Sequence, residues 1–269
     1  MRDVKREFLL AFTVLYCTVS AVKRLDMAPN AVDTLYEGCR KDTMEKLIRS
    51  DVLQQELSQD INFQKAWSEK CSTLLPGGVK EHTAALLAFA NGGQAFKKAF
   101  NDAVETMGVN VSTYEDHFHY KSLHFLLTDA MSLVKPKTCK NVYRMSEMDY
   151  DVEKGARVRF GRFTSVQSDV SMKEDVEDGV YFNITTCFFV TLEGFCGLTE
   201  DLAILSPAEE FTVEDVKQGG NGDYTEIILK HSNLKATHKC YISRAPADSA
   251  PLWLVMVLVS FFLFETLPR

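Results

Sequence analysis

The sequence predicts an α+β fold, with helices in the first half of the chain and short strands in the second. Apolar residues recur at helical spacing up to residue 134, whereas short runs of β-branched and aromatic residues follow Cys139. No internal repeat and no linker-like stretch divides the chain. Helices that precede the strands, rather than alternate with them, favour an α+β domain over a parallel βαβ fold.

Four segments of the first half have the apolar periodicity of helices packed on a core. The Gly92-Gly93 pair separates the second from the third, because paired glycines interrupt a helix. The fourth has apolar residues at positions i, i+3, i+4 and i+7, and it ends before Pro136. The predicted helices are residues 41–59, 82–91, 95–107 and 123–134.

Six segments after Cys139 have the composition of strands. A glycine-rich stretch over residues 219–222 precedes the last of them and is typical of a hairpin turn. A phosphate-binding loop is a weaker interpretation of these glycines, because no helix follows them. The predicted strands are residues 142–143, 156–163, 180–190, 203–205, 211–213 and 224–229.

The N-terminus has the parts of a secretory signal peptide. Arg2, Lys5 and Arg6 form a basic start, and an uncharged, mostly apolar run follows over residues 8–19. The run is shorter than the ~20 residues of a membrane-spanning helix, and the small residue Ala21 closes it. The basic start favours a signal peptide over a buried core helix, and we predict that the signal peptide covers residues 1–21.

The C-terminus carries a second apolar run over residues 252–264. At ~1.5 Å per residue this run reaches roughly 20 Å, less than the ~30 Å hydrocarbon core of a bilayer. A run of this length suits the removable tail of a GPI-anchor signal, and small residues precede it at 245–250. A short single-pass anchor is the alternative. We predict an anchor signal over residues 244–269 and one ectodomain over residues 22–243.

The composition of the ectodomain fits the cell exterior. An even number of cysteines outside the predicted signal peptide indicates disulfides in an oxidising compartment. Asn110 and Asn183 begin N-x-S/T glycosylation motifs. The formal charge of −7 argues against nucleic-acid binding, which requires a basic face. The six cysteines are Cys39, Cys71, Cys139, Cys187, Cys196 and Cys240.

Several sequence blocks occur in a fixed order along the chain. In the second half these are Val142-Tyr143-Arg144, then RFGRFTS over 159–165, FNITTC over 182–187 and AILSPAEEF over 203–211. In the first half they are DMAPN over 26–30, LYEGC over 35–39 and the striped helix after Tyr120. At these residues the chain resembles the vertebrate arginine-specific ecto-ADP-ribosyltransferases, and the resemblance runs from about residue 26 to residue 240.

This resemblance implies a fold, a reaction and a location. The fold would pack the helical half on a mixed or antiparallel two-sheet core. The reaction would transfer ADP-ribose from the co-substrate NAD to arginine side chains of extracellular or cell-surface proteins, with release of nicotinamide and without a metal. A lipid anchor would hold the protein at the outer face of the plasma membrane. The family's framework would pair Cys39 with Cys240 and Cys139 with Cys187, leaving Cys71 and Cys196 as a third bridge or as free thiols.

The resemblance also assigns roles to four residues. Arg144 would grip the NAD diphosphate with its planar, always-charged guanidinium, although a surface ion pair is the alternative. Ser165 would orient the nicotinamide ribose, and Arg162 would lie beside the cofactor. Glu200 matches the first glutamate of the family's Glu-x-Glu turn.

The chain departs from the family at the second glutamate, where it has Leu202. That carboxylate would stabilise an oxocarbenium-like state, and losing such a group costs about 10²–10³ in rate. Asp201 or Glu209 could replace it, and the family's Ser-Thr-Ser strand is also altered at Val166-Gln167. Two hypotheses follow: an arginine-specific transferase, or a weak or inactive member that serves as a binding ectodomain.

Overall fold

The structure of the chain is a computed structural model that describes residues 22–67, 70–134, 136–176, 178–198, 201–219, 224–238 and 240. The predicted signal peptide, the predicted anchor signal and the candidate Glu200 lie outside the described residues. Within the described ranges, no helix combines the length and the apolar character that crossing a membrane requires.

Seven α-helices form the first half of the described chain. Three of the four predicted helices are confirmed, with their ends shifted by no more than two residues. Two short helices were not predicted, and each begins at a side chain that caps the backbone: Asp60 Oδ1 accepts the N–H of Phe63, and Asn110 Oδ1 accepts that of Thr113. The helices are α1 (Arg40–Thr43), α2 (Val52–Gln59), α3 (Ile61–Ala66), α4 (Lys80–Asn91), α5 (Gln94–Thr106), α6 (Val111–His117) and α7 (Lys121–Leu133).

The predicted helix over residues 41–59 is wrong in its middle. A π-helical turn, Met44–Ile48, extends α1, and α2 starts only at Val52. The cause is Ser50, whose hydroxyl donates to the carbonyl of Lys46 and accepts the N–H of Val52. Such a serine offers the backbone hydrogen bonds that compete with a continuous helix.

The second half forms two main sheets, which confirms the predicted α+β class and its two-sheet core. The larger sheet is mixed, with strand order β2-β6-β10-β9-β4, and the smaller is antiparallel, with order β5-β8-β7. β1 and β3 form a separate parallel pair. The strands are β1 (Lys23–Arg24), β2 (Lys140–Ser146), β3 (Tyr150–Asp151), β4 (Arg157–Val158), β5 (Thr164–Val166), β6 (Val180–Thr186), β7 (Phe189–Thr191), β8 (Ala203–Leu205), β9 (Glu209–Gly219) and β10 (Tyr224–Leu234).

Two predicted strands are wrong because the chain changes sheet within them. The predicted strand over 180–190 is β6 in the large sheet followed by β7 in the small one. Of the predicted strand over 156–163, only Arg157–Val158 lies in the large sheet, as β4. The chain then leaves that sheet and enters the small sheet at Thr164. Between them Gly161 has φ +65°, and a Cβ there would lie 2.4 Å from the Cβ of Ala28. This crossing therefore requires glycine.

The small sheet separates two apolar cores. On one face Val190 and Ile204 pack with the helices. On the other face Val166, Ala203 and Leu205 pack against the large sheet. Backbone hydrogen bonds between Tyr143 and Gln167 join β2 to the end of β5, so the two sheets meet at one edge. That edge places β2 beside β5.

Three disulfides connect distant parts of the chain. The bridges Cys39–Cys240 and Cys139–Cys187 confirm the pairing that the resemblance implied. Cys71 and Cys196 form the third bridge, so they are not free thiols. This bridge joins the loop after α3 to the turn between β7 and β8, which leads into Leu202.

Candidate active site

Arg144 lies on β2 and points into the space between the two sheets. Its strand neighbour Val142 is fully buried on that face, and its cross-strand partner is Phe182. Its Nη1 donates to the carbonyl of Ser165 at 3.0 Å. Burial lowers the pKa of Arg144, although a guanidinium stays charged. Among the described residues no carboxylate forms an ion pair with Arg144.

Ser165 is the middle residue of β5 and pairs with Ile204 of β8. Cross-strand partners share a face of their sheet, so Ser165 points with Ile204 towards the helices. The Ser165 backbone carbonyl accepts from Arg144 and its side chain faces the start of α5. The structure therefore brings together two of the three catalytic candidates, and the third, Glu200, is outside the described residues.

A cavity of about 550 Å³ lies between the start of α5 and β5. Four of the described residues that line it are basic and none is acidic: Lys97, Lys98, Arg144 and Arg162. A second cavity, of about 330 Å³, adjoins it, because Arg144, Arg162 and Thr164 line both. Excess positive charge around a cavity of this size suits a ligand with phosphate groups.

Arg162 lies on the wall that the two cavities share. Its Nη2 donates to Glu105 Oε2, and the other carboxylate oxygen of Glu105 accepts from the ammonium of Lys23. The Nε of Arg162 is buried and has no hydrogen-bond partner among the described residues. Sequence reasoning missed Glu105, Lys23 and the α5 lysines. The only signal was the Lys97-Lys98 pair that follows the Gly92-Gly93 break.

Leu202 lies on the same face of the small sheet as Ser165. The N–H of Leu192 donates to the Leu202 carbonyl at 2.8 Å, which extends the β7–β8 ladder by one residue beyond Ala203. Leu202 and Ile204 are two positions apart, so strand alternation puts both side chains towards the helical core, against which Leu202 packs. An isobutyl group stands at this position, and it neither accepts hydrogen bonds nor carries charge.

The two carboxylates considered as replacements point elsewhere. Asp201 alternates to the opposite face, and its Oδ2 accepts the N–H of Ser168 at 2.6 Å. Glu209 is fully buried beside the Cys139–Cys187 bridge, where it accepts from Thr186 Oγ1, the N–H of Cys187 and His231 Nδ1. Among the described residues, those that line the two cavities include neither carboxylate. This arrangement favours the expectation that neither carboxylate replaces the missing glutamate.

The fold is that of the mono-ADP-ribosyltransferases. The structure superposes on ART2.2, solved as a glutamate-to-alanine variant in complex with NADH, with a TM-score of 0.66, 29% identity, and 81% of this chain and 98% of that chain covered. A glutamate-to-isoleucine variant of ART2.2 in complex with NAD superposes with a TM-score of 0.64 at the same identity and coverage. The chain belongs to the NAD:arginine ADP-ribosyltransferase family, whose sequence model matches residues 25–237.

Curated relatives agree with that family. T-cell ecto-ADP-ribosyltransferase 1 of Rattus norvegicus is 30% identical over 258 residues, covering 90% of this chain and 89% of the relative. GPI-linked NAD(P)(+)--arginine ADP-ribosyltransferase 1 of Mus musculus is 29% identical over 279 residues, covering 91% and 85%. The expected family resemblance is confirmed.

Proposed function

We propose that the chain is an arginine-directed ADP-ribosyltransferase of the cell exterior that binds NAD at Arg144 and transfers ADP-ribose slowly because of Leu202. The proposal that the chain binds NAD rests on the position of Arg144. It is a half-buried guanidinium between two cavities, it touches Ser165, and no described carboxylate neutralises it. The NAD and NADH complexes of ART2.2 support NAD as the ligand.

The chemistry assigns a task to each of these residues. NAD supplies the ADP-ribosyl group when it is bound. The bond between nicotinamide and ribose breaks, nicotinamide leaves with the electron pair, and a guanidinium nitrogen of the acceptor arginine attacks the ribose and loses a proton. Arg144 would hold the diphosphate, and the Ser165 hydroxyl, on the same face as Leu202, would orient the nicotinamide ribose.

Leu202 determines the rate in this proposal. Positive charge develops on the ribose as nicotinamide leaves, and a nearby carboxylate would stabilise that charge. Leu202 lies on the face of Ser165, and the carboxylates of Asp201 and Glu209 are held elsewhere. The same geometry leaves the cations of the site intact, so binding and transfer should be separable. A chain that binds NAD without any transfer, in every variant, would be the binding ectodomain of the alternative hypothesis.

Replacing Arg144 with glutamine should weaken NAD binding by at least tenfold, because the charged hydrogen bond to a phosphate is lost. The measurement is calorimetric titration with NAD of the protein produced from the full-length chain in a secretory host. Arg49→Gln is the matched control, since Arg49 is exposed and its described ion pair is with Glu45, four residues before it. Equal affinities of the Arg144 variant and the wild type would contradict the assignment.

The location is part of the proposal. The three disulfides, the two apolar terminal segments and the GPI-linked relative support a lipid-anchored protein on the outer surface of the cell. Phosphatidylinositol-specific phospholipase C should release the protein from intact cells that express the full-length chain, because that enzyme cuts GPI anchors. Full retention on the cells after treatment would favour the short single-pass anchor.

A further inference from the structure

Glu105 of α5 holds two of the cations that border the cavities. Its Oε1 accepts from the Lys23 ammonium, and its Oε2 accepts from Arg162 Nη2. The three side chains are mostly buried, with 21–31% of each exposed. Lys23 and Glu105 line the smaller cavity, and Arg162 lines both. The Glu105 carboxylate therefore already binds the basic side chains that the phosphates of a nucleotide would contact.

Burial opposes the positive charge of both cations that Glu105 binds. Burial, and next to it the charge of Arg162, lower the pKa of Lys23 to about 8. Burial also lowers the pKa of Arg162, whose Nε has no hydrogen-bond partner in the described part of the chain. Two further carboxylates lie at this wall: Asp102 is 4.0 Å from Arg162 Nη2 and accepts from Lys98, and Asp26 accepts the N–H of Ala28. Glu105 occupies the donors of Lys23 and Arg162 that the phosphates of a ligand would use.

We propose that Glu105 competes with the diphosphate of the nucleotide for Arg162 and Lys23. This competition sets the affinity of the two adjoining cavities, here called the cleft, for the nucleotide. The inference rests on the proposed binding of NAD in this cleft. When the cleft is empty, Glu105 neutralises both cations. A diphosphate then has to displace the carboxylate from Arg162 or bind without Arg162. Removing the charge of Glu105, with the side chain kept nearly the same size, should make both cations available to phosphate.

The test is calorimetric titration of the Glu105→Gln protein, produced from the full-length chain, with NAD and with inorganic pyrophosphate. Both should bind about tenfold more tightly than to wild type, because one more charge-assisted hydrogen bond reaches the phosphates. The affinity for NAD should also fall more steeply with salt. Nicotinamide riboside, which has no phosphate, should bind equally to both proteins. Glu115→Gln removes one exposed charge on α6 and should leave all three affinities within twofold.

A double-variant cycle assigns the gain to Arg162. Arg162→Gln alone should weaken NAD binding less than the same change does in the Glu105→Gln background, because Glu105 already binds Arg162 in the wild type. In the Glu105→Gln background the same change should remove most of the tenfold gain. Glu105→Asp, which keeps the charge but cannot reach both cations, should show a smaller gain and serves if the glutamine variant unfolds.

The outcomes separate this inference from the proposed function. Wild type that binds NAD, together with a Glu105→Gln protein of equal or lower affinity, would overturn the role of Glu105 and leave NAD binding intact. If neither protein bound NAD or pyrophosphate, both this inference and the proposed function would be refuted. Equal tightening of nicotinamide riboside would also count against competition with phosphate, because it would indicate a general change in cavity shape.

Discussion

Replacing Leu202 with glutamate should raise the rate of ADP-ribosyl transfer to agmatine, a small guanidinium acceptor, by about 10²–10³-fold. The substitution puts a carboxylate on the face of the small sheet that carries Ser165. If the ribose lies at Ser165, the positive charge that develops on it would then have an anion on the same face of the small sheet, beside a cavity whose described charged residues are all cationic. Formation of ADP-ribosyl-agmatine and release of nicotinamide, both at saturating NAD, are the measurements.

Leu202→Gln is the matched control, because it adds the same length and polarity without charge. It should raise the rate by much less than the glutamate variant, and both variants should bind NAD as the wild type does. Wild-type turnover already equal to that of Leu202→Glu would refute the role given to Leu202. No turnover in either protein, with NAD bound, would point to Val166-Gln167, at the end of β5, as a second loss in the site.

The parts of the fold that sequence predicts well are those that carry a long periodic signal. Helices α4, α5 and α7 each span 12 or 13 residues, so their apolar stripes are distinct. Strand β5 has only three residues, and the strand predicted over 156–163 stops just before it. Composition does not reveal that the chain changes sheets at Gly161, because the buried residues on either side look alike.

The candidate site likewise contains residues that the local sequence reveals and residues that it does not. The ordered blocks identify Arg144, Ser165 and Leu202, because each block places its residue by local sequence alone. Glu105 and Lys23 lie 82 residues apart and meet only in the folded chain. A helical pattern shows which face of α5 is buried, but it does not show what the polar edge of that helix touches.

The second large effect is expected at Asp33, whose substitution should destabilise the folded protein. The carboxylate is 1% exposed and binds Arg159 Nη1 at 2.7 Å, Thr237 through its N–H and hydroxyl, and His238 through its N–H and Nδ1. These contacts fasten the residues before Cys240 to the N-terminal segment. Asp33→Asn should lower the free energy of unfolding by about 3 kcal/mol, because the amide presents a donor to a group of donors and leaves Arg159 with less negative charge.

Thermal unfolding with the disulfides intact measures this loss, and a fall of about 6–12 °C in Tm is expected. Asp149→Asn, a change at an exposed position, is the control and should leave Tm within about 2 °C. An unchanged Tm in Asp33→Asn would show that Glu210, which also binds Arg159, neutralises it alone.

The pH dependence distinguishes the charge of Asp33 from its shape. Burial alone would raise the pKa of Asp33, but hydrogen bonds from His238 and Thr237 outweigh burial and lower it to about 2. A carboxylate with a lowered pKa in the folded state contributes stability that is complete above its unfolded value, near 4, and is lost as pH falls towards 2. The difference in stability between wild type and Asp33→Asn should therefore be constant above about pH 5 and shrink below pH 4. A difference that persists unchanged at pH 2 would mean that shape, and not charge, holds the C-terminal residues in place.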